Sequence, residues 1–296
     1  MKKKTVFRGI ATALITPFKD GRIDFDAYGR FIDWQIENGI NALVACGTTG
    51  ESSTLSDKEH RAAIAYAVQR AAGRVPVIAG TGSNEFDYAV DLSKYAASVG
   101  VDAILVVTPY YNKATQNGLI KTYTSIAEEA GIPTILYNVP SRTGVNIEPK
   151  TYAALAEHPN IVAFKEANGN ISKIVETMSY VRGKIDLYSG NDDQIVPLMA
   201  MGGIGAISVL SNILPRETVE ITDRFFAGDV AGAAELQCRY HALIDALFSE
   251  VNPIPVKAAV AAMGFTENTL RLPLTEMEEG HKQTLLALMR KEGLAV

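Results

Sequence analysis

Cysteine is nearly missing from this chain of 296 residues, which contains only Cys46 and Cys238. Two cysteines do not make a disulfide framework, and such scarcity is typical of proteins of the reducing cytoplasm, where we expect this one. Cys46 lies in an apolar run, so we interpret it as a small core residue rather than a nucleophile. The histidines are scattered and lack the spacing of metal ligands, so the sequence predicts no metal site. They are His60, His158, His241 and His281.

Long apolar segments and basic clusters are also missing. No apolar run reaches the ~20 residues that a membrane-spanning helix needs. The three lysines that follow Met1 do not lead into the apolar stretch of a signal peptide. The net charge of −5 does not suit a nucleic-acid surface. We therefore expect no membrane and no nucleic acid among the partners, and the 47% hydrophobic content is ample for a large core.

Eight short apolar runs recur at nearly even intervals. Their residues are apolar throughout rather than alternately apolar and polar, which is typical of strands in a parallel sheet buried on both faces. The runs are Ile10–Ile15, Ala42–Cys46, Val75–Ala79, Ala103–Val107, Thr134–Tyr137, Ile161–Phe164, Ile185–Tyr188 and Gly205–Val209.

Helical patterns separate these runs. Ser56 and Glu59 form a capping box that begins one helix, and Gly131 with Pro133 ends another. Eight strands that alternate with helices predict an α/β fold, a (β/α)8 TIM barrel, over residues 1–228. A doubly wound open sheet is the alternative, but it usually has a glycine-rich first turn, which does not follow the first run.

Residues 229–296 predict a C-terminal helical extension packed on the barrel. Apolar residues at helical spacing from Ala233 to Leu247 predict one helix, which Asn252–Pro255 interrupts. Thr275–Glu278 resembles a second capping box, which would begin the last helix.

Lys165 follows the sixth apolar run directly, and the predicted function depends on it. Apolar surroundings favour the neutral amine, which is a nucleophile toward carbonyl groups. The alternative is a lysine whose stem packs while its ammonium reaches solvent. In a (β/α)8 barrel, polar residues at the carboxyl ends of the strands converge at one mouth, and the other strand ends support the first interpretation.

Those other strand ends carry hydroxyl groups and an arginine. They are Gly47–Glu51, Thr108–Asn112, Tyr137–Gly144 and Ser189–Asp192. Hydrogen-bonded tyrosine and threonine can relay the protons that imine formation moves, and an arginine can bind a carboxylate with two parallel hydrogen bonds. This inventory predicts imine chemistry on a keto group.

At this point the motifs resemble the dihydrodipicolinate synthase family, within the pyruvate-dependent Schiff-base aldolases that include N-acetylneuraminate lyase. Gly47–Glu51, Tyr137–Gly144 and Lys165–Glu166 match in order and spacing, and Asn252–Lys257 extends the match into the helical extension. The resemblance implies condensation of pyruvate with L-aspartate 4-semialdehyde to 4-hydroxy-tetrahydrodipicolinate, on the route to lysine and diaminopimelate. It also implies that no cofactor is needed, because the lysine activates the carbonyl group.

The resemblance also implies roles for individual residues. Lys165 would form the Schiff base with pyruvate. Tyr137, Thr48 and Tyr111 would relay protons, with Tyr137 as the main acid and base near the imine. Thr48 would also hold the pyruvate carboxylate together with Thr49.

Three further residues would bind substrate according to the resemblance. Arg142 would bind the carboxylate of the aldehyde at the entrance, and Gly190 and Ile207 would line the pocket. The family is commonly a homotetramer, a dimer of tight dimers. Tyr110 would cross the tight interface, and Tyr111 would complete the neighbour's relay.

Many members of the family are inhibited by lysine at that interface. Ser52, His60, Asn84 and Tyr110 match the lysine site. Asp57 stands where lysine-sensitive members often have histidine, and Tyr88 where they often have glutamate. Losing that glutamate removes a partner for the ammonium of the effector, while Asp57 offers a carboxylate in the same region.

Two other functions compete with this one. A related aldolase or dehydratase that acts on a sugar acid would keep Lys165 and Tyr137 but has no use for Arg142. A catalytically silent paralogue that binds a small molecule would need a broken relay, and the sequence shows none.

Overall fold

Eight parallel strands close into a barrel in the computed structural model of the protein, which describes residues 3–296. Met1 and Lys2, at the start of the N-terminal lysine run, lie outside the described residues. The strands are β1 (Gly9–Ala13), β2 (Ala42–Ala45), β3 (Val77–Gly80), β4 (Ala103–Val107), β5 (Thr134–Asn138), β6 (Ile161–Glu166), β7 (Asp186–Ser189) and β8 (Gly205–Ser208). The order around the barrel is β1-β8-β7-β6-β5-β4-β3-β2.

The predicted (β/α)8 barrel is therefore confirmed, and each strand lies on one of the eight apolar runs. The main difference concerns β6, which continues through Glu166, so that Lys165 lies inside the strand. A two-stranded antiparallel hairpin formed by Phe18–Lys19 and Arg22–Ile23 was not predicted, because strands of two residues carry no periodic signal.

Barrel closure depends on two glycines. Gly9 pairs with Gly205 where β1 meets β8, and Gly205 has a φ of +150°. A Cβ atom on Gly205 would lie 1.7 Å from the Gly9 carbonyl oxygen, so no larger residue fits at this contact.

Helices cover the barrel from outside. In order they are α1 (Phe25–Glu37), α2 (Asp57–Ala71), α3 (Phe86–Ser98), α4 (Gln116–Ala130), α5 (Pro140–Thr143), α6 (Pro149–Leu155), α7 (Ile171–Val181), α8 (Ile195–Ala200), α9 (Pro215–Phe226), α10 (Val230–Arg239), α11 (His241–Leu247), α12 (Ile254–Ala262) and α13 (Glu279–Lys291). The predicted capping box of α2 is present, since the Ser56 and Glu59 side chains each accept a hydrogen bond from the other residue's backbone N–H. Gly131 ends α4 in the left-handed conformation, also as predicted.

The extension contains the helices α10 to α13, and two predictions about it were wrong. The apolar stripe from Ala233 to Leu247 forms two helices, and Tyr240 separates them as the C-cap of the first and the N-cap of the second. The last helix begins at Glu279 rather than at the box Thr275–Glu278. The Glu278 N–H donates to the Glu250 carboxylate at 3.0 Å, and Met277 is buried. Contacts to the rest of the extension, and not a local cap, therefore hold residues 275–278 in place. The boundary at residue 228 stays a prediction; it lies between α9 and α10.

The apolar core has two parts. A large cluster lies between the strands and the surrounding helices, and a smaller one includes inward-facing residues such as Val44, Leu105 and Ile135. Tyr137 and Ile207 belong to the smaller cluster, so predicted site residues pack directly on the apolar interior of the barrel. Among residues 3–296, no helix has the length and apolar character that crossing a membrane requires.

Candidate active site

A cavity of about 170 Å³ opens at the carboxyl ends of the barrel strands. It brings together seven of the eight residues predicted to be catalytic or substrate-binding. These are Lys165, Tyr137, Thr48, Thr49, Arg142, Gly190 and Ile207. The eighth, Tyr111, does not line the cavity of its own chain.

Lys165 and Tyr137 occupy paired positions on β6 and β5. The Lys165 ammonium nitrogen lies 4.2 Å from the centre of the Tyr137 ring. Both side chains are buried, with 6% and 7% of their surfaces exposed. The amine therefore sits in a water-poor pocket beside a phenol, an arrangement suited to imine formation and proton transfer.

The next residues along the same two strands point to the opposite face. Asn138 pairs with Glu166, and the Asn138 amide donates to a Glu166 oxygen at 2.9 Å. The Tyr152 hydroxyl and the Asn168 backbone N–H also donate to this carboxylate, both at 2.9 Å. Burial raises the pKa of Glu166 to about 7 despite these three donors.

Thr48 and Thr49 lie in the turn that follows β2. The Gly50 N–H donates to the Gly47 carbonyl at 3.1 Å, and this hydrogen bond closes the turn. Thr49 is buried, and its hydroxyl accepts a hydrogen bond from the Asn252 amide at 3.1 Å. The turn thus presents backbone N–H groups and hydroxyls, which can hold a carboxylate.

Arg142 reaches the entrance from the short helix α5. Its side chain is exposed, and its guanidinium donates to the Asn252 carbonyl at 3.2 Å. Gly190 follows β7 on the opposite side. A Cβ atom there would lie 2.8 Å from the Ala167 Cβ and 3.1 Å from the Lys165 Cε, so only glycine leaves room for the lysine.

Sequence reasoning missed the contribution of the extension to the cavity wall. Asn252 and Phe248 both line the cavity. Asn252 contacts Thr49 through its side chain and Arg142 through its carbonyl, so one residue links the two predicted carboxylate sites. Asn252 opens the Asn-Pro-Ile-Pro motif, which the sequence showed, but only the fold places that motif over the barrel.

Tyr111 lies away from the cavity of its own chain. Its side chain is 92% exposed, and its backbone has a φ of +69°, a conformation that tyrosine rarely adopts. A large aromatic held outward in a strained turn has no packing role within a single chain.

A second cavity, of about 330 Å³, contains five of the six residues predicted to form a lysine site. They are Ser52, Asp57, His60, Tyr88 and Tyr110. Asn84 does not line it; its carbonyl accepts a hydrogen bond from the Asn112 amide at 2.9 Å.

The electrostatics of this second cavity depend on Asp57 and His60. Arg61 donates to the Asp57 carboxylate at 2.8 Å and also pairs with Asp91, so two carboxylates share one guanidinium charge. His60 is buried against the Gly80 carbonyl at 2.9 Å, and burial lowers its pKa, which keeps the ring neutral.

One group of metal-type ligands lies outside both cavities. Atoms of Glu250, Glu278 and His281 come within 4.8 Å of one another. Glu250 already accepts the Glu278 N–H and lies 2.9 Å from the His281 ring nitrogen, so hydrogen bonds within the extension account for the cluster.

The fold and the cavity define the class: a (β/α)8 enzyme with a buried lysine amine at the mouth of its barrel. Residues 6–292 match the Dihydrodipicolinate synthetase family. The protein from Lachnoclostridium phytofermentans named 4-hydroxy-tetrahydrodipicolinate synthase is 53% identical over 98% of this chain and 99% of its own. The one of the same name from Alkaliphilus oremlandii is 52% identical over 98% and 100%.

A solved structure gives the same result. Dihydrodipicolinate synthase from Aquifex aeolicus superposes with a TM-score of 0.96 at 45% identity, and the match covers 98% of this chain and 99% of that one. The chain belongs to the dihydrodipicolinate synthetase family.

Proposed function

We propose that this enzyme condenses pyruvate with L-aspartate 4-semialdehyde and forms 4-hydroxy-tetrahydrodipicolinate. The observation that carries the proposal is the buried Lys165 amine beside Tyr137, in a cavity that is also lined by two separate groups able to bind a carboxylate, the Thr48–Thr49 turn and Arg142. Two such elements suit a reaction that joins two carboxylate substrates. A sugar-acid aldolase would have no second carboxylate for Arg142 to bind.

The reaction begins at pyruvate. The Lys165 amine adds to the keto carbon, water leaves, and a Schiff base forms. Loss of a methyl proton gives an enamine, whose carbon attacks the aldehyde of the second substrate. The amino group of the joined product then adds to the imine carbon and expels the Lys165 amine, which closes the ring.

Tyr137 and Thr48 move the protons in this sequence. Tyr137 lies on the strand beside Lys165, so its hydroxyl is available to the carbinolamine when water leaves. The turn at Thr48 and Thr49 holds the pyruvate carboxylate. Arg142 holds the carboxylate of the aldehyde, with Gly190 and Ile207 shaping the space between.

We assign Tyr111 to the relay of a neighbouring subunit in a homotetramer built from two tight dimers. Its exposed side chain and strained backbone support this assignment. Mixed dimers of Tyr111→Phe and Lys165→Ala chains should regain activity, because one of their two sites keeps an intact lysine and receives an intact tyrosine. Gel filtration that shows a fully active monomer would contradict the assignment.

We assign the second cavity to lysine as an inhibitor. Ser52, His60 and Tyr110 line it together, and Asp57 lines it with a carboxylate that shares the single charge of Arg61 with Asp91. Activity should therefore fall as lysine rises to millimolar concentrations. A flat activity curve through that range excludes the assignment. The cytoplasm, which we propose as the compartment, suits two cysteines that are both free.

The decisive experiment measures condensation of the two substrates with a coupled reductase, in the wild type and in Lys165→Ala. We expect turnover in the wild type and none in the variant. Borohydride should trap pyruvate on Lys165 as a secondary amine. Trapping without turnover would move the function to another pyruvate-dependent aldolase, and the absence of both would refute the imine mechanism.

A further inference from the structure

Glu51 and Lys257 form an ion pair that is sealed from solvent and has no place in the proposed mechanism. Their side chains are 1% and 0% exposed. Glu51 ends the Gly-Thr-Thr-Gly-Glu motif behind the cavity, whereas Lys257 lies on α12 of the extension. The pair therefore joins the loop that follows β2 to a segment more than two hundred residues later in the chain.

The surroundings of the pair hold it in place. The Lys257 ammonium lies 4.0 Å from the centre of the Phe18 ring, and the Arg271 guanidinium lies 4.3 Å from the same ring. The Arg271 backbone N–H donates to the second oxygen of Glu51 at 3.2 Å. Arg271 itself pairs with Glu59. Burial lowers the pKa of Lys257 to about 8, and the charge of Glu51 opposes that effect.

Glu51 is also coupled tightly to the two threonines. Its backbone N–H donates to the Thr48 carbonyl at 3.1 Å, so the turn and the carboxylate move together. Its φ of +55° is a left-handed conformation that glutamate seldom adopts. Surrounding contacts must hold such a residue in place, and strain of this kind concentrates at functional sites.

A buried ion pair is weak evidence for stability, because desolvation offsets most of the attraction between the charges. An apolar pair of the same size would fill the space equally well. Unlike an apolar contact, the ion pair fixes the direction and the distance between its two side chains. One of them, Glu51, lies two residues after Thr49, so the pair also fixes the position of the turn.

We propose that Lys257 is a positioning residue, which acts through Glu51 to hold the Thr48–Thr49 turn in the geometry that binds the carboxylate of pyruvate. This inference rests on the proposed function. The extension thereby becomes part of the catalytic apparatus rather than a cover on the barrel. Asn252 adds a second link of the same kind, through the Thr49 hydroxyl.

The test is the pyruvate concentration that gives half-maximal borohydride trapping, which needs no second substrate. The double variant Lys257→Met/Glu51→Gln removes both charges and nearly keeps the volume. We expect its half-saturating concentration to rise about tenfold or more, since a displaced binding group commonly costs that much. The maximal trapping rate should also fall to the extent that imine formation uses the Thr48 hydroxyl, so the half-saturating concentration is the readout for binding of the carboxylate.

Arg239→Met is the matched control. It removes a cation of the same extension that pairs with Glu292 at 2.9 Å rather than with a residue of the turn. We expect this variant to trap pyruvate at wild-type concentrations. Circular dichroism and gel filtration show whether each variant keeps its fold and assembly.

Glu51→Asp tests the inference if the double variant does not fold. It keeps both charges and shortens the side chain at position 51 by one methylene group, so the turn must shift to keep the ion pair. The pyruvate concentration for half-maximal trapping should again rise. Folded variants that trap pyruvate at wild-type concentrations would overturn the inference. Failure of the wild type to trap pyruvate would instead refute the proposed function.

Discussion

The buried carboxylate of Glu166 gives the sharpest quantitative prediction. Its pKa is raised from the ordinary value of 4.5 to about 7, with burial as the main cause. Between these two values the folded protein holds a proton that the unfolded chain has released. The free energy of unfolding therefore falls as pH rises through this window, and the contribution is complete below pH 4.5.

The magnitude follows from the two pKa values. At 1.36 kcal/mol for each unit of pKa, the wild type loses about 3 kcal/mol of stability between pH 4.5 and 7 through this residue alone. Glu166→Gln has nearly the same shape and cannot titrate. The variant should therefore gain about 3 kcal/mol relative to the wild type across the window.

Urea unfolding of both proteins at several pH values, at equal protein concentration, measures this difference. All other titrating groups are common to the two proteins, so their contributions cancel in the comparison. A stability difference that stays constant from pH 4.5 to 8 would show that Glu166 titrates normally and that its burial has no such energetic effect.

Three further predictions concern catalysis. Tyr137→Phe removes the hydroxyl beside Lys165 and should lower kcat by about 10²- to 10⁴-fold with little change in KM, and an unchanged kcat would exclude Tyr137 as the acid and base. Gly190→Ala places a methyl group 3.1 Å from Lys165, so borohydride trapping should fall and stability should drop by about 1–3 kcal/mol in urea unfolding; wild-type trapping would refute the steric argument. Arg142→Lys replaces a guanidinium that can donate two parallel hydrogen bonds with an ammonium that binds as a single point charge. It should raise KM for the aldehyde about tenfold while KM for pyruvate stays constant. Equal effects on both KM values would show that Arg142 does not bind the aldehyde.

The barrel was predictable because its strands are buried on both faces. Continuous apolar runs such as Ala103–Val107 cannot be mistaken for surface segments, and alternation with capped helices leaves few folds. Lys165 alone was ambiguous, because its stem could pack while its ammonium reached solvent. The hydroxyl groups and the arginine at the other strand ends favoured a buried amine at the barrel mouth. The start of α13 was missed because long-range contacts to Glu250 fix it, and capping patterns report only local ones.

Residues of the site that depend on distant contacts were beyond the reach of sequence patterns. Asn252 looks like an ordinary turn residue until α11 and α12 carry it over the barrel mouth. The exposure of Tyr111 could not be predicted from the sequence either. Tyr110 is its neighbour and has the same side chain, yet Tyr110 is half-buried and Tyr111 is exposed. Family resemblance named Tyr111, whereas physical reasoning from the sequence alone did not distinguish it from its neighbour.

The pairing of Gly9 with Gly205 has a consequence for the protein as it is made. Ribosomes add about 5–20 residues each second, so β1 waits on the order of 10–40 s for β8 to emerge. During that time β1 and the last strand to emerge expose unpaired backbone that can join other chains. Asn252, which lines the cavity, emerges later still, so the cavity wall stays incomplete until that part of the extension has left the ribosome. Mutations that slow closure at the two glycines should therefore reduce the yield of soluble enzyme in cells more than they reduce the activity of each molecule that folds.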